Sequence, residues 1–132
     1  MSREILQPKK PSRRRRLCPS EASEQMVVVK ALDRARIKFF HVPNERRDES
    51  TRIALSSSGV KPGVPDLVII DPPPGVDAVG AVIEMKRREG GKVSRVQEQW
   101  LDWFEERGWV VAVCEGAAAA LDQLRTWGYL IR

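Results

Sequence analysis

Pro65-Asp66-Leu67-Val68-Ile69-Ile70 and, after a turn, Val79-Gly80-Ala81-Val82-Ile83-Glu84-Met85-Lys86 together decide how this chain folds. Each is a short apolar run of strand type, and Asp71-Pro72-Pro73-Pro74-Gly75 breaks the chain between them. Two strands joined by that turn bring Asp66 and Glu84 together at one edge of a sheet, both clamped by backbone pairing. Side chains alternate along a strand, so Glu84 and Lys86 share a face while Met85 points into the core. The Met85 carbonyl then lies in the strand plane, free to act as a metal ligand. Magnesium takes oxygen ligands and keeps several waters, so two carboxylates and a carbonyl suffice to hold it. An isolated Glu-x-Lys is commonly a solvated pair on an exposed strand face. Pro65-Asp66 on the preceding strand, with Gly59 and Gly63 beside it, turns the reading toward a metal-dependent phosphodiesterase.

The flanking segments supply the rest of an α/β domain. Ser20 is a good N-cap, with Glu21 and Glu24 in the first turn where the helix dipole favours acids. Val28, Ala31, Leu32 and Ala35 recur at helical spacing, which predicts a helix over residues 20–35. Ile37 to Val42 reads as a strand ended by Pro43-Asn44. Residues 44–64 are polar and rich in Ser and Gly, with a short helix expected near Thr51–Ser57. Ser94-Arg95-Val96-Gln97 is a capping box for a helix running to about Arg107, ended by Gly108. Trp109 to Cys114 is an apolar strand, and Ala117 to Trp127 a last helix. The order αβββαβ with a C-terminal helix predicts a mixed sheet flanked by helices.

Composition narrows the function classes. The 132 residues suit one domain over residues 20–132, and no stretch approaches the ~20 apolar residues of a membrane span. The two cysteines, Cys18 and Cys114, form no disulfide framework or zinc cluster and fit a reducing compartment. The charge is uneven. Residues 1–20 carry seven basic side chains against Glu4 alone, a net +6, which leaves −1 for the remainder of a chain whose total is +5. The basic segment, residues 1–19, reads as disordered in isolation, and Arg13, Arg14, Arg15 and Arg16 suit sequence-blind contact with phosphates. Any nucleic-acid footprint on the body must be local, and Arg87, Arg88, Lys92 and Arg95 form the candidate patch. Arg46 and Arg47 could equally touch phosphate or be solvated.

At this point the chain resembles the VRR-NUC (virus-type replication-repair nuclease) family of the PD-(D/E)XK nuclease superfamily. The resemblance runs from about Ser20 to Leu124. It rests on His41-Val42-Pro43-Asn44, on Gly59 through Leu67, and on Ile83-Glu84-Met85-Lys86-Arg87. Further on, Gly91-Lys92-Val93-Ser94 with Gln97, then Trp100-Leu101, Gly108 and Val111 to Cys114 continue it. It implies a restriction-endonuclease-like core and a metal-dependent DNA endonuclease, with Asp66, Glu84, the Met85 carbonyl and a first-helix glutamate holding Mg²⁺ or Mn²⁺. Glu21 is preferred for that glutamate and Glu24 is the alternative, because Gln25 completes the family's E-x-x-x-Q spacing from Glu21. Lys86 and Gln97 would face the reacting phosphate. A glutamine that faces the site is not expected to cap its helix as well, which counts against the capping reading of Gln97. Small family members imply branched DNA as partner, a homodimer, and a cytoplasmic, nucleoid-associated setting in a bacterial or phage-infected cell; the alternatives are a monomeric flap or nicking nuclease and a non-catalytic nucleic-acid-binding module of the same fold. His41 is expected to be a packed or edge histidine, and Trp100, Trp103, Trp109 and Cys114 to be core.

Overall fold

The computed structural model describes residues 19–43 and 57–131, and the chain there runs helix, strand, strand, strand, helix, strand, helix. Helix α1 spans Glu21–Arg34 and is opened by Ser20, whose hydroxyl accepts from the Ser23 amide. Its buried stripe is Glu24, Val28 and Leu32. Ala35, expected on that stripe, is the C-cap instead. Arg36 follows at φ 61°, and the amides of Arg36 and Ile37 return to the Asp33 and Leu32 carbonyls. That closure satisfies the last carbonyls of the helix and sends the chain directly into the sheet.

Strands β1 (Phe39–His41), β2 (Leu67–Ile69), β3 (Ala81–Lys86) and β4 (Val110–Glu115) form one sheet in the order β1-β2-β3-β4. The first three pair antiparallel, while β3 and β4 are parallel and joined by helix α2 (Arg95–Glu106). Strand β1 is shorter than the expected Ile37–Val42. Its pairing nonetheless extends to Lys38 and Val42, which bond Ile70 and Asp66 through the backbone. Helix α3 (Ala117–Thr126) ends the fold, and the segment after it clamps the proline turn. There the Gly75 amide donates to the Trp127 carbonyl at 2.8 Å, and the Tyr129 hydroxyl donates to the Asp71 carbonyl at 2.5 Å.

Strand alternation divides the interior in two. Leu67, Ile69, Ala81, Ile83 and Met85 pack with Val28 and Leu32 of α1 and Ala120 and Leu124 of α3. On the opposite face Val68 and Val82 meet Leu101 of α2, with Phe104 and Trp109 partly buried around them. This second core is small; Trp109 packs against it as the sequence suggested, while Trp103 does not. Trp103 is 39% exposed, whereas Trp127 is the tryptophan in the main core. The helical period explains the difference: Gln97, Leu101 and Phe104 share the inward face of α2, which leaves Trp103 outside it. Cys114 is in the core as expected, and burial pushes its thiol up to about 11. Among the described residues, no helix is long and apolar enough to cross a membrane.

Candidate active site

The two antiparallel central strands set the site. Leu67 lies opposite Ile83, and the same register carried one residue further places Asp66 opposite Glu84. Asp66 therefore sits just before β2 and Glu84 within β3, so both belong to the two middle strands and not to an edge strand. Asp66 is fixed from two sides. Its Oδ2 accepts the Met85 amide at 2.7 Å, and its carbonyl accepts the Val42 amide at 2.8 Å. The loop before it is pinned to α2. Trp100 Nε1 donates to the Pro62 carbonyl, and Gly63, at φ 82°, packs so tightly on Val96 that a Cβ would stand 2.6 Å from a Val96 methyl. No side chain larger than glycine's fits there without displacing the loop.

Asp66, Glu84 and Lys86 are all buried charged groups, at 7%, 2% and 8% exposure. Lys86 Nζ stands 3.4 Å from Glu84 Oε2. Gln97 joins them. Its Oε1 accepts from Lys86 Nζ at 2.9 Å, and its Nε2 donates to Glu84 Oε2 at 3.0 Å. The same Oε1 accepts the Ser94 amide at 2.9 Å, while Ser94 Oγ accepts the Gln97 amide at 3.1 Å. The capping box and the site contact thus coexist, which corrects the expectation that one glutamine could not serve both. The side-chain oxygen has two lone pairs and the amide nitrogen two protons, so the groups are sufficient.

Glu84 is the electrostatic centre of the cluster. Burial raises its carboxyl to about 8, helped by the neighbouring Asp66 charge and opposed by Lys86. Its Oε1 is buried with no hydrogen-bond partner. A desolvated carboxylate beside a second one, with a free lone pair aimed at neither protein donor nor solvent, is a fitting oxygen donor for a hard divalent cation. The Met85 carbonyl suits the same role. Lys86 and Gly80 direct their carbonyls to Gly116 and Val110 beside β4, so strand alternation turns Met85 the other way, past the end of β2.

The two first-helix glutamates part company. The Glu21 carboxyl is raised by burial first, then by the Asp66 charge, with Lys86 and Arg87 opposing. Its field is therefore that of the site. Glu24 is buried deeper, with its Oε2 3.2 Å from Arg88 Nε and against Gly116, whose Cβ position it would overlap at 2.5 Å. Arg88 is thereby tied to the fold although its side chain stays half exposed, and Arg87, Lys92 and Arg95 are exposed as well. Among the described residues, no three His, Cys, Asp or Glu side chains converge closely enough to form a metal cluster. The donors available are the Asp66–Glu84 pair, a backbone carbonyl and the more distant Glu21. Arg13 to Arg16, Asn44, Arg46, Arg47 and all but the last residue of the helix expected at Thr51–Ser57 lie outside the described residues.

Sequence reasoning passed over one group at the site. His41 is on edge strand β1, as expected, yet its Nδ1 stands 2.9 Å from the Asp66 carbonyl oxygen. Gln25 meets the same nitrogen at 3.0 Å. The signal was the position of Gln25, one helical turn beyond Glu21 and on its face.

A mixed sheet whose middle strands carry two buried carboxylates and a lysine, with a glutamine from α2 beside them, fits a nuclease-type α/β fold. The chain belongs to the VRR-NUC family: the VRR-NUC domain model matches residues 6–118, a span that begins within the basic N-terminal segment. A solved structure of a VRR_NUC domain protein shares the fold, with a TM-score of 0.69 at 20% identity over 85% of this chain and 90% of that one. No curated protein matches the chain.

Proposed function

We propose that this chain is a metal-dependent endodeoxyribonuclease that hydrolyses phosphodiester bonds, with branched DNA such as a four-way junction as its substrate. The observation that carries the reading is the buried Asp66–Glu84 pair, held by Met85 and Gln97 and accompanied by Lys86. Burying that much charge costs several kcal/mol per ion before pairing offsets it, a cost that apolar residues would avoid. Asp66, Glu84, the Met85 carbonyl and Glu21 would hold Mg²⁺ or Mn²⁺. When bound, such an ion stabilises charge on the attacked phosphate and activates water as a nucleophile.

The protein's own groups do the rest. Asp66, locked to the Met85 amide, keeps one oxygen aimed at a fixed point. Gln97 hydrogen-bonds both the Glu84 carboxyl and the Lys86 ammonium, so Lys86 would present its charge where negative charge develops. Arg87, Lys92 and Arg95 lie exposed beyond the end of β3; they would meet the DNA backbone, and the charge of Arg13 to Arg16 would add to that contact. Cleavage of a junction on two strands suits a homodimer, whose two-fold axis would pair two such sites. The setting that follows is cytoplasmic and nucleoid-associated.

A second reading, a DNA-binding module of nuclease fold without catalysis, is favoured by one observation: the described residues form no three-donor metal cluster. Cleavage of labelled four-way junction, flap, duplex and single-stranded DNA with Mg²⁺ or Mn²⁺ separates the two. Metal-dependent cutting by the wild type, lost in Asp66→Ala, is expected. Salt-sensitive binding with no cutting by either protein would leave the binding module.

A further inference from the structure

Asp66 is held at its backbone as firmly as at its side chain, and part of that hold has no role in folding. Its carbonyl oxygen accepts from the Val42 amide at 2.8 Å and from His41 Nδ1 at 2.9 Å, so both lone pairs are engaged by one strand. A carbonyl only accepts, which makes His41 Nδ1 the proton carrier. Gln25 Nε2 stands 3.0 Å from the same nitrogen; with that amide turned about its axis, which its two like-shaped ends allow, the Gln25 oxygen takes that place and shares the Nδ1 proton. The backbone ladder already joins β1 to β2 on either side of His41, and the ring is exposed, so neither pairing nor burial requires an imidazole here.

Gln25 lies on the same face of α1 as Glu21, one turn on. Anchoring Gln25 to β1 therefore fixes the helical face from which Glu21 reaches the site. That matters because Glu21 and Asp66 repel each other until a cation lies between them.

We propose that Gln25 and His41 form a latch from α1 to the Asp66 backbone, two positioning residues that hold the Glu21 carboxyl beside Asp66 before a cation arrives. This inference rests on the nuclease reading of the same site. Neither residue touches the reacting phosphate.

The test compares Gln25→Leu, His41→Leu, the double variant and His41→Asn by Mn²⁺ titration calorimetry, single-turnover cleavage, DNA affinity and thermal melting. Loss of the latch is expected to weaken Mn²⁺ binding and slow cleavage on the order of 10-fold, as for other groups that orient metal ligands. DNA affinity and Tm should barely move. The double variant should lose no more than either single one, because the two act as a unit. His41→Asn, whose amide nitrogen occupies the place of Nδ1, should restore most of the loss. Gln25→Leu added to Glu21→Gln should cost nothing further. Unchanged Mn²⁺ affinity, additive losses, or failure of asparagine to rescue at unchanged Tm would overturn the latch alone. A wild type that neither binds Mn²⁺ nor cuts DNA overturns the nuclease reading and the latch together.

Discussion

The two faces of β3 are equally buried and chemically opposite. Ala81, Ile83 and Met85 point toward α1 and α3 at 0% exposure, inside a continuous apolar core. Val82, Glu84 and Lys86 point toward α2, where the apolar core is small and ends at Val82. Beyond that residue the strand buries charge instead of hydrocarbon, although a leucine at either position would have extended the core. One face of the strand holds the fold together. The other gives up stability for a group of polar atoms whose positions are fixed.

The sharpest way to break the comparison is to remove charge from one face and volume from the other. Asp66→Ala or Glu84→Ala should bring DNA cleavage below detection, while circular dichroism and the melting profile stay those of a folded protein. An unfolded Asp66→Ala would mean that the carboxylates are structural. Gln97→Ala should lower single-turnover cleavage about 10- to 100-fold by releasing Glu84 and Lys86 from each other. Replacement by glutamate, which cannot donate to Glu84, should do no better. On the apolar face Met85→Ala should destabilise the protein by about 2–5 kcal/mol in denaturant unfolding, with Mn²⁺ binding retained in the folded fraction. The smallest effect belongs to the outer surface of α2. Trp103→Ala should destabilise the protein by only about 0.5–1.5 kcal/mol, because its ring lies outside both cores and meets Trp100 edge to face.

Much of this was legible in the residues. The element order and the neighbouring positions of Asp66 and Glu84 follow from two apolar runs, a proline turn and strand alternation. So does the side-by-side placement of Glu84 and Lys86, since alternation is a property of any strand. Four features were not legible, all but the tryptophans because they depend on contacts distant in sequence. Gln97 serves helix cap and site together only because α2 crosses the sheet at that height. Glu21 and Glu24 are alike as N-terminal acids until Arg88 and Gly116 close around one of them. The tryptophans looked like core from their bulk, yet helical phase left Trp103 exposed. His41 shows the same limit: its place in a β-branched and aromatic run revealed a strand, with the ring packed or at an edge, and gave no hint that the ring would reach the Asp66 carbonyl.

The central claim is that Glu84 is kept buried for a cation and not for the fold, and the pH dependence of stability tests it most directly. With its carboxyl raised from 4.5 to about 8, the folded chain holds a proton that the unfolded chain releases across that window. Stability must then fall as pH rises through it, with the penalty complete above the folded value. Denaturant unfolding of wild type and Glu84→Gln from pH 5 to 9, with and without Mn²⁺, measures this. The account predicts a wild type that weakens toward high pH and is restored by Mn²⁺, and a glutamine variant that lacks this fall with pH and gains little from the metal. A wild type with no such loss, or a glutamine variant stabilised by Mn²⁺ as strongly as the wild type, would contradict it.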